Sequence, residues 1–170
     1  MDLKKFIREI PDFPKPGIVF KDITPLLGDG ASFGHVIELL SQMGTRLKAE
    51  KIIAIESRGF IFGSAVAQRL GVGVVPVRKK GKLPFKTISA TYQLEYGQDT
   101  LEMHVDGIRP GERILVVDDV LATGGTAEAV FRLVAEAGGA PVGAAFVIEL
   151  GFLKGRERLK NFEVGSLIHY

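Results

Sequence analysis

The sequence predicts an α/β fold in which helices flank a mainly parallel central sheet. Short apolar runs lie at 51–55, 73–77, 114–117 and 142–150, as expected of strands buried on both faces. The runs at 51–55 and 114–117 are each followed by a polar turn and then by a helical pattern. This repeated strand–turn–helix order is typical of open parallel sheets, which bind ligands at the carboxyl ends of their strands.

Length and composition describe one ordinary globular domain. The chain has 170 residues, of which 46% are hydrophobic and 25% charged, and its net charge of +2 is too small to indicate nucleic-acid binding. The absence of cysteine excludes disulfides and thiol metal sites. Residues 1–20 lack the apolar core of a signal peptide, and no apolar run approaches the roughly 18 residues of a membrane span. We therefore expect a cytoplasmic protein without nucleic-acid or membrane partners.

The first third of the chain is predicted to contain two helices separated by a stiff loop. Residues 3–10 have an amphipathic helical pattern that ends at a proline, and residues 31–49 form a second helix that Asp29 or Ser32 can cap. The loop between them, 12–25, carries three prolines and several apolar side chains. Such a loop either covers the core or forms a platform for a flat ligand. Residue types alone favour the core cover, since buried phenylalanine is common.

The segment 83–108 differs from the core strands. It carries strand-like but polar residues on either side of a turn at 97–99, which predicts a projecting antiparallel hairpin too polar to belong to the central sheet. A long excursion between core strands is often a lid. After the last core strand, we expect a short basic helix at 154–160 and a terminal strand at 166–169.

The stretch 114–126 joins two kinds of binding group. Its strand is followed by Asp118 and Asp119, then by a small-residue loop at 122–126 and a helix at 127–137. Glycines allow close backbone approach, and a helix N-terminus with threonine hydroxyls suits a phosphate. The acidic pair would repel that phosphate and needs hydroxyls or a metal ion instead. A ribose 5-phosphate satisfies both halves, whereas either half alone would indicate only a solvated turn.

Polar and positively charged residues follow two other core strands. The residues concerned are Ser57, Arg58, Arg78, Lys79 and Lys82. A charge run is usually solvated, but cations at the carboxyl ends of strands can converge on a pyrophosphate. We favour an anion site for these residues and assign Lys80 to solvent.

The 114–126 segment resembles the phosphoribosyl-pyrophosphate (PRPP) signature of the type I phosphoribosyltransferases, and the whole chain is similar to the branch of that family that uses adenine. The resemblance implies the type I phosphoribosyltransferase fold: a single domain, 1–170, with a flexible hairpin lid at about 83–108 and a small hood formed by about 1–27 with the C-terminal segment. It implies the purine-salvage reaction in which adenine and PRPP give AMP and pyrophosphate, with Mg²⁺ carried by PRPP and no metal ligand from the protein. Members of the family are usually homodimers.

The same resemblance assigns roles to individual residues. Val19 and Phe20 would sandwich the adenine, the backbone near Lys21 would contact its edge, and Leu150 would pack against it. The ribose residues would be Asp118 and Asp119, the 5-phosphate residues Ala122, Thr123, Gly124, Gly125 and Thr126, and the pyrophosphate residues Ser57, Arg58, Arg78, Lys79 and Lys82.

The motif Leu-Glu-Tyr-Gly at 94–97 matches the catalytic flexible loop of the family. This match makes Glu95 the candidate acid/base, because adenine loses a proton as it attacks the sugar. From residue type alone, an ordinary exposed hairpin carboxylate is the better interpretation.

Three other functions share parts of these motifs. A 6-oxopurine phosphoribosyltransferase would have the same PRPP site and another base. A PRPP-sensing regulator would need a DNA-binding module, which neither the length nor the charge supports. A phospho-acceptor domain would need a further aspartate at another core strand end. Motifs for nucleoside triphosphates and dinucleotides are missing, and the three histidines lack metal-ligand spacing.

Overall fold

The computed structural model describes residues 1–93 and 97–170, which form a sheet with helices on both faces. The strands are β1 (Arg8–Ile10), β2 (Phe20–Asp22), β3 (Lys51–Ile55), β4 (Gly73–Lys79), β5 (Thr87–Gln93), β6 (Gln98–His104), β7 (Arg113–Leu121), β8 (Ala140–Glu149) and β9 (Glu163–His169). The helices are α1 (Thr24–Gly28), α2 (Gly30–Arg46), α3 (Gly59–Leu70), α4 (Gly125–Glu136) and α5 (Gly155–Arg158), with 3₁₀ helices at Leu3–Phe6 and Gly151–Leu153. None of these helices is long and apolar enough to cross a membrane.

Seven strands form the central sheet in the order β5-β6-β4-β3-β7-β8-β9. The strands β4, β3, β7, β8 and β9 run parallel, and the β5-β6 hairpin is antiparallel, so the predicted mainly parallel sheet is confirmed. In β3, Ile53 packs on the side of α4 with Val130, while Ile52 packs on the side of α2 and α3 with Phe62. Because helices cover both faces, the central strands are apolar at consecutive positions.

The N-terminus of α2 is capped by Asp29. Its Oδ2 accepts a hydrogen bond from the Ser32 amide at 2.8 Å, and the Ser32 hydroxyl donates to the Leu26 carbonyl at 3.1 Å. The structure thus selects Asp29 from the two predicted caps. The helix ends at Arg46, three residues before the predicted end, and Lys48 then adopts a left-handed φ of 51°.

The helix predicted at 3–10 is wrong beyond its first turn. A 3₁₀ turn ends at Phe6, and β1 then pairs antiparallel with β2, with Ile10 opposite Phe20. The Phe13 amide donates to the Ile18 carbonyl at 3.1 Å within the connecting loop. One or two helical turns are marginal in water, whereas pairing with β2 satisfies the backbone groups of β1.

The hairpin belongs to the central sheet, and the prediction that its polarity excludes it is wrong. β6 pairs with β4, placing Arg78 opposite Glu102 and Lys79 opposite Leu101. Leu101 and Met103 are buried in the same core cluster as the inner face of α4. Alternation explains the composition, because Leu101 and Met103 lie on the face of β6 that packs in this core cluster, while the positions between them lie on its other, polar face.

The close packing of α3 on β3 gives a testable consequence. A Cβ atom on Gly63 would lie 2.5 Å from the Cβ and 3.2 Å from the Cα of Ala54, whereas a Cβ on Gly34 of α2 would meet nothing within 4 Å. We expect Gly63→Val to lower the free energy of unfolding by about 1–3 kcal/mol relative to Gly34→Val, through overpacking. Thermal unfolding of both variants measures the difference; equal melting temperatures would contradict the tight α3–β3 contact.

Candidate active site

The candidate site lies at the carboxyl edge of the parallel strands, where β3, β4, β7 and β8 end. The acidic pair is its centre. β7 continues through both aspartates to Leu121, whereas its pairing with β3 stops at Val117. Asp118 and Asp119 therefore lie inside the strand. The sequence analysis had placed them directly after its end. The turn after β3 occupies the side of β7 that β3 leaves open: Arg58 Nε lies 2.7 Å from Asp119 Oδ2.

Burial shapes the chemistry of this pair. Asp119 is only 6% exposed. Among the described residues, no donor forms a hydrogen bond with its Oδ2. Burial raises the pKa of Asp118 well above its usual value, the charge of Asp119 raises it further, and Arg58 partly offsets both. Gly59 is required beside the pair, because a Cβ there would lie 2.6 Å from Asp118 Oδ1.

The predicted phosphate loop begins directly after β7. Gly124 has a φ of +82°, and α4 begins at Gly125, so that its N-cap residue, Gly124, has no side chain to bond the first amides. The helix therefore presents free backbone amides and the positive end of its dipole. A cavity of about 50 Å³ joins this loop to Asp118 and is also lined by Thr123 and Thr126. Asp118 and the phosphate loop thus share one space, whereas Asp119 does not line it.

A second cavity, of about 880 Å³, opens beside the loop. Its walls come from the loop between β1 and β2, from the phosphate loop and from the segment after β8. The lining residues are Lys15, Gly17, Ile18, Val19, Lys21, Ala122, Thr123, Leu150, Phe152, Leu153 and Tyr170. Of the residues predicted to contact adenine, Val19, Lys21 and Leu150 line this cavity. Phe20 does not; its ring packs edge-on against Phe13 at 5.2 Å and lies under the Arg58 guanidinium.

The predicted pyrophosphate residues lie around the ends of β3 and β4. Arg78 donates to Glu56 Oε1 at 3.2 Å and to the Lys82 carbonyl at 3.3 Å, and Lys79 Nζ lies 3.1 Å from Asp99 Oδ2 of β6. Burial acts to raise the pKa of Glu56, but hydrogen bonds from the Lys79 amide and from Arg78 hold that pKa below its usual range. Hydrogen bonding to Asp99 raises the pKa of Lys79.

Ser57 is exposed in the turn that leads to Arg58. The peptide bond between Glu56 and Ser57 is cis. The candidate acid/base, Glu95, lies outside the described residues.

Arg156, Tyr170 and Tyr92 lie at the site but escaped the sequence analysis. Arg156 of α5 is paired with Glu149, at the end of β8, and Tyr170 forms part of the large cavity. Tyr92 of β5 lies against the phosphate loop, since a Cβ on Gly125 would be 3.4 Å from its ring. Glu149, by contrast, gave a signal in the sequence, as a charge at the end of an otherwise apolar strand. The partners of the others depend on contacts between distant parts of the chain.

Comparison with known proteins agrees with this geometry. The family model for the phosphoribosyl transferase domain matches residues 27–163. The adenine phosphoribosyltransferase of Desulfitobacterium hafniense is 54% identical over 170 residues, covering 100% of this chain and 98% of the relative. That of Solibacter usitatus is 57% identical over 169 residues, covering 99% and 98%. The chain belongs to the phosphoribosyltransferase family, in its adenine phosphoribosyltransferase branch.

Solved structures of phosphoribosyltransferases share the whole fold. The crystal structure of the adenine phosphoribosyltransferase from Thermoanaerobacter pseudethanolicus has a TM-score of 0.96 at 51% identity, covering 99% of this chain and 98% of that one. The enzyme from Saccharomyces cerevisiae, crystallised with adenine and an imino-altritol bisphosphate, has a TM-score of 0.92 at 41% identity, covering 98% and 96%. The predicted type I phosphoribosyltransferase fold is confirmed.

The raised pKa of Asp118 predicts a stability effect with a defined sign. A carboxyl group whose pKa is raised by folding contributes stability that is fully present below its ordinary pKa of 3.8 and is lost as the pH rises through the raised pKa. Asp118→Asn removes the charge from this half-buried position, so we expect its melting temperature to exceed that of the unmodified protein by about 2–4 °C for each kcal/mol regained. The gain should be larger at about pH 8 than at about pH 5, because the stability of the unmodified protein falls as the pH rises above 3.8 towards the raised pKa, whereas asparagine does not titrate. Thermal unfolding at both pH values checks this, and a gain that shrinks as the pH rises would contradict it.

Proposed function

We propose that this chain transfers the 5-phosphoribosyl group of PRPP to adenine, giving AMP and pyrophosphate, in a Mg²⁺-dependent step of purine salvage. One observation carries the proposal: the cavity that joins Asp118 to the phosphate loop adjoins a larger, mostly apolar cavity, and Ala122 and Thr123 line both. A nucleotide has this sequence of parts, with a phosphate, a diol and a flat apolar base. The relatives named above have this activity in their names.

The base occupies the large cavity in this proposal. Val19 and Leu150 supply apolar contacts on its two sides, and the backbone near Lys21 reads the amino group and ring nitrogen that distinguish adenine from 6-oxopurines. A site that hydrogen-bonds a purine edge rejects the wrong edge strongly, because buried polar groups are otherwise left unpaired. Phe20 lies beside the cavity wall, so it contributes by orienting the loop and Arg58.

The ribose and its phosphate occupy the small cavity. The residues 122–126 hold the 5-phosphate with backbone amides, the threonine hydroxyls and the dipole of α4. Asp118 and Asp119 accept hydrogen bonds from the ribose hydroxyls. Cleavage of the bond from C1 to pyrophosphate develops positive charge on the sugar, which the negative field of the acidic pair stabilises. Anchoring the remote phosphate converts binding energy into positioning of C1.

The leaving pyrophosphate is received by Ser57 and the cations around the ends of β3 and β4. Arg58 and Lys79 are each paired with an aspartate, Asp119 and Asp99, so the incoming polyanion competes for cations that are already in place. We propose that Mg²⁺ arrives with PRPP. The residues present fit an ion that PRPP holds, because the buried carboxylate of Asp119 can accept hydrogen bonds from water on that ion. When bound, the ion neutralises charge on the departing pyrophosphate.

The domain organisation follows the same proposal. The β1–β2 unit, with the segment around Phe152 and Tyr170, forms the hood over the base cavity. The β5-β6 hairpin forms the lid and carries Glu95 as acceptor of the adenine proton. We also propose a cytoplasmic homodimer. The dimer is supported by exposed apolar side chains on adjoining elements, among them Ile61 of α3 and Val74 of β4.

Substitution of the acidic pair tests the proposed site. We expect Asp118→Asn combined with Asp119→Asn to lower kcat by about 10²–10³-fold, as loss of transition-state stabilisation does, with the fold preserved. Pyrophosphate release is measured with adenine, hypoxanthine, guanine and xanthine, with and without Mg²⁺. Adenine should be preferred and chelation of Mg²⁺ should stop turnover. Asp106→Asn, an exposed carboxylate at the opposite edge of the sheet, is the matched control. Unchanged turnover in the double variant would reject the ribose role, and preference for another base would reject adenine as substrate.

The role of Glu95 has its own test. We expect Glu95→Gln to lower kcat by about 10²–10⁴-fold with little change in either KM, because general acid–base catalysis acts on the transition state. The acidic limb of the plot of kcat against pH should disappear with the carboxylate. A variant with normal kcat would show that this residue is only an exposed hairpin carboxylate.

A further inference from the structure

The segment 151–158 connects the two cavities of the site. Phe152 and Leu153 line the base cavity. Two residues later, Gly155 packs against the phosphate loop: a Cβ on Gly155 would clash with the Ala122 carbonyl oxygen and lie 2.9 Å from the Gly124 amide nitrogen. Any shift of this segment therefore moves a wall of the base cavity and the surface that supports the loop.

Arg156 fixes this segment to the sheet. Its Nε donates to Glu149 Oε1 at 3.0 Å and its Nη2 to Glu149 Oε2 at 2.5 Å. The same guanidinium donates to the Val164 carbonyl at 2.6 Å and to the Ser166 hydroxyl at 3.0 Å, both on β9. A two-pronged, charge-assisted contact of this kind fixes orientation as well as distance.

Glu149, which accepts these hydrogen bonds, is connected to both cavities. Glu149 is 7% exposed, and its hydrogen bonds from Arg156 hold its pKa below the usual range. Its neighbour Leu150 lines the base cavity and donates its amide to the Leu121 carbonyl at 2.9 Å, directly before the phosphate loop. The Tyr170 amide, from another wall of the base cavity, donates to the Glu149 carbonyl at 3.0 Å.

We propose that Arg156 is a positioning residue that holds the base cavity and the 5-phosphate loop at the spacing of one nucleotide. It lines neither cavity and acts through Glu149 and Gly155. The inference rests on the proposed placement of base and phosphate. A misplacement of about 1 Å can lower the efficiency of a reaction about 10²-fold, so loss of this contact should be visible in kinetics.

The test compares Arg156→Ala and Arg156→Lys with the unmodified enzyme. We expect Arg156→Ala to raise KM for both adenine and PRPP by about 10-fold or more, because neither cavity is then placed correctly for the other. Arg156→Lys keeps the positive charge but loses the two-pronged hydrogen bond. Its KM values should therefore lie between those of the alanine variant and those of the unmodified enzyme. Added guanidinium ion should lower the KM values of the alanine variant towards normal and leave those of the lysine variant unchanged.

Controls separate this role from general stability. Arg46→Ala removes an ion pair with Glu163, also on β9 but exposed, and should leave both KM values unchanged. If Arg156→Ala does not fold, the lysine variant decides alone. A lower kcat with both KM values unchanged would indicate only loss of folded enzyme and would overturn the proposal, as would unchanged kinetics in a folded variant.

The placement of the phosphate is tested separately with Thr126→Val. If that substitution leaves KM for PRPP unchanged, the loop assignment fails, and the inference about Arg156 fails with it. If it raises KM for PRPP while Arg156→Lys has no effect, the site stands and the positioning role alone is overturned.

Discussion

The placement of two adjacent carboxylates within the sheet, Asp119 buried and Asp118 half-buried, is the constraint on which the site depends. β7 extends four residues beyond its last pairing with β3, and the acidic pair lies in that extension, beside the turn that carries Arg58. One cation faces two carboxylates, and burial makes full ionisation of the pair unfavourable. The arrangement is not optimal for stability. It is understandable if the pair awaits hydroxyl donors, since functional sites often keep polar groups that a stable core would not.

The positively charged side chains of the site are also only weakly stabilised by their partners. Arg58, Arg78 and Lys79 are each paired with a carboxylate, and these pairs are partly exposed. Exposed ion pairs contribute little to stability, so exchanging a carboxylate for a pyrophosphate carries a small penalty. The carboxylates keep the cations near their working positions, which lowers the cost of ordering long side chains when the substrate binds. Because Asp99 belongs to β6, its pair with Lys79 also links the hairpin to this region.

The sequence was informative where local chemistry decides the structure. Strands buried on both faces reveal themselves as continuous apolar runs, and the 114–126 stretch contains both of its binding groups within a few residues, so their meeting does not depend on distant contacts. The sequence was misleading where contacts between distant parts of the chain decide the structure. The segment Arg8–Ile10 became a strand because β2 was available, and the polar hairpin joined the sheet because α4 covers one of its faces. Arg156 could not be assigned, since its acceptors lie on β8 and β9.

The two cavities differ in how they are built, and this difference explains why a tie between them is needed. The phosphate loop is one continuous stretch between β7 and α4, so its geometry is largely local. The base cavity combines the loop before β2, the segment after β8 and Tyr170, whose relative positions depend entirely on tertiary contacts. Segments with few buried apolar contacts open locally at small free-energy cost. A nucleotide spans both cavities, so its binding requires that the less rigid cavity be held at a fixed distance from the more rigid one. The close contact of Gly124 with Gly155 fixes this distance on one side, and the two hydrogen bonds from Arg156 to Glu149 fix it on the other.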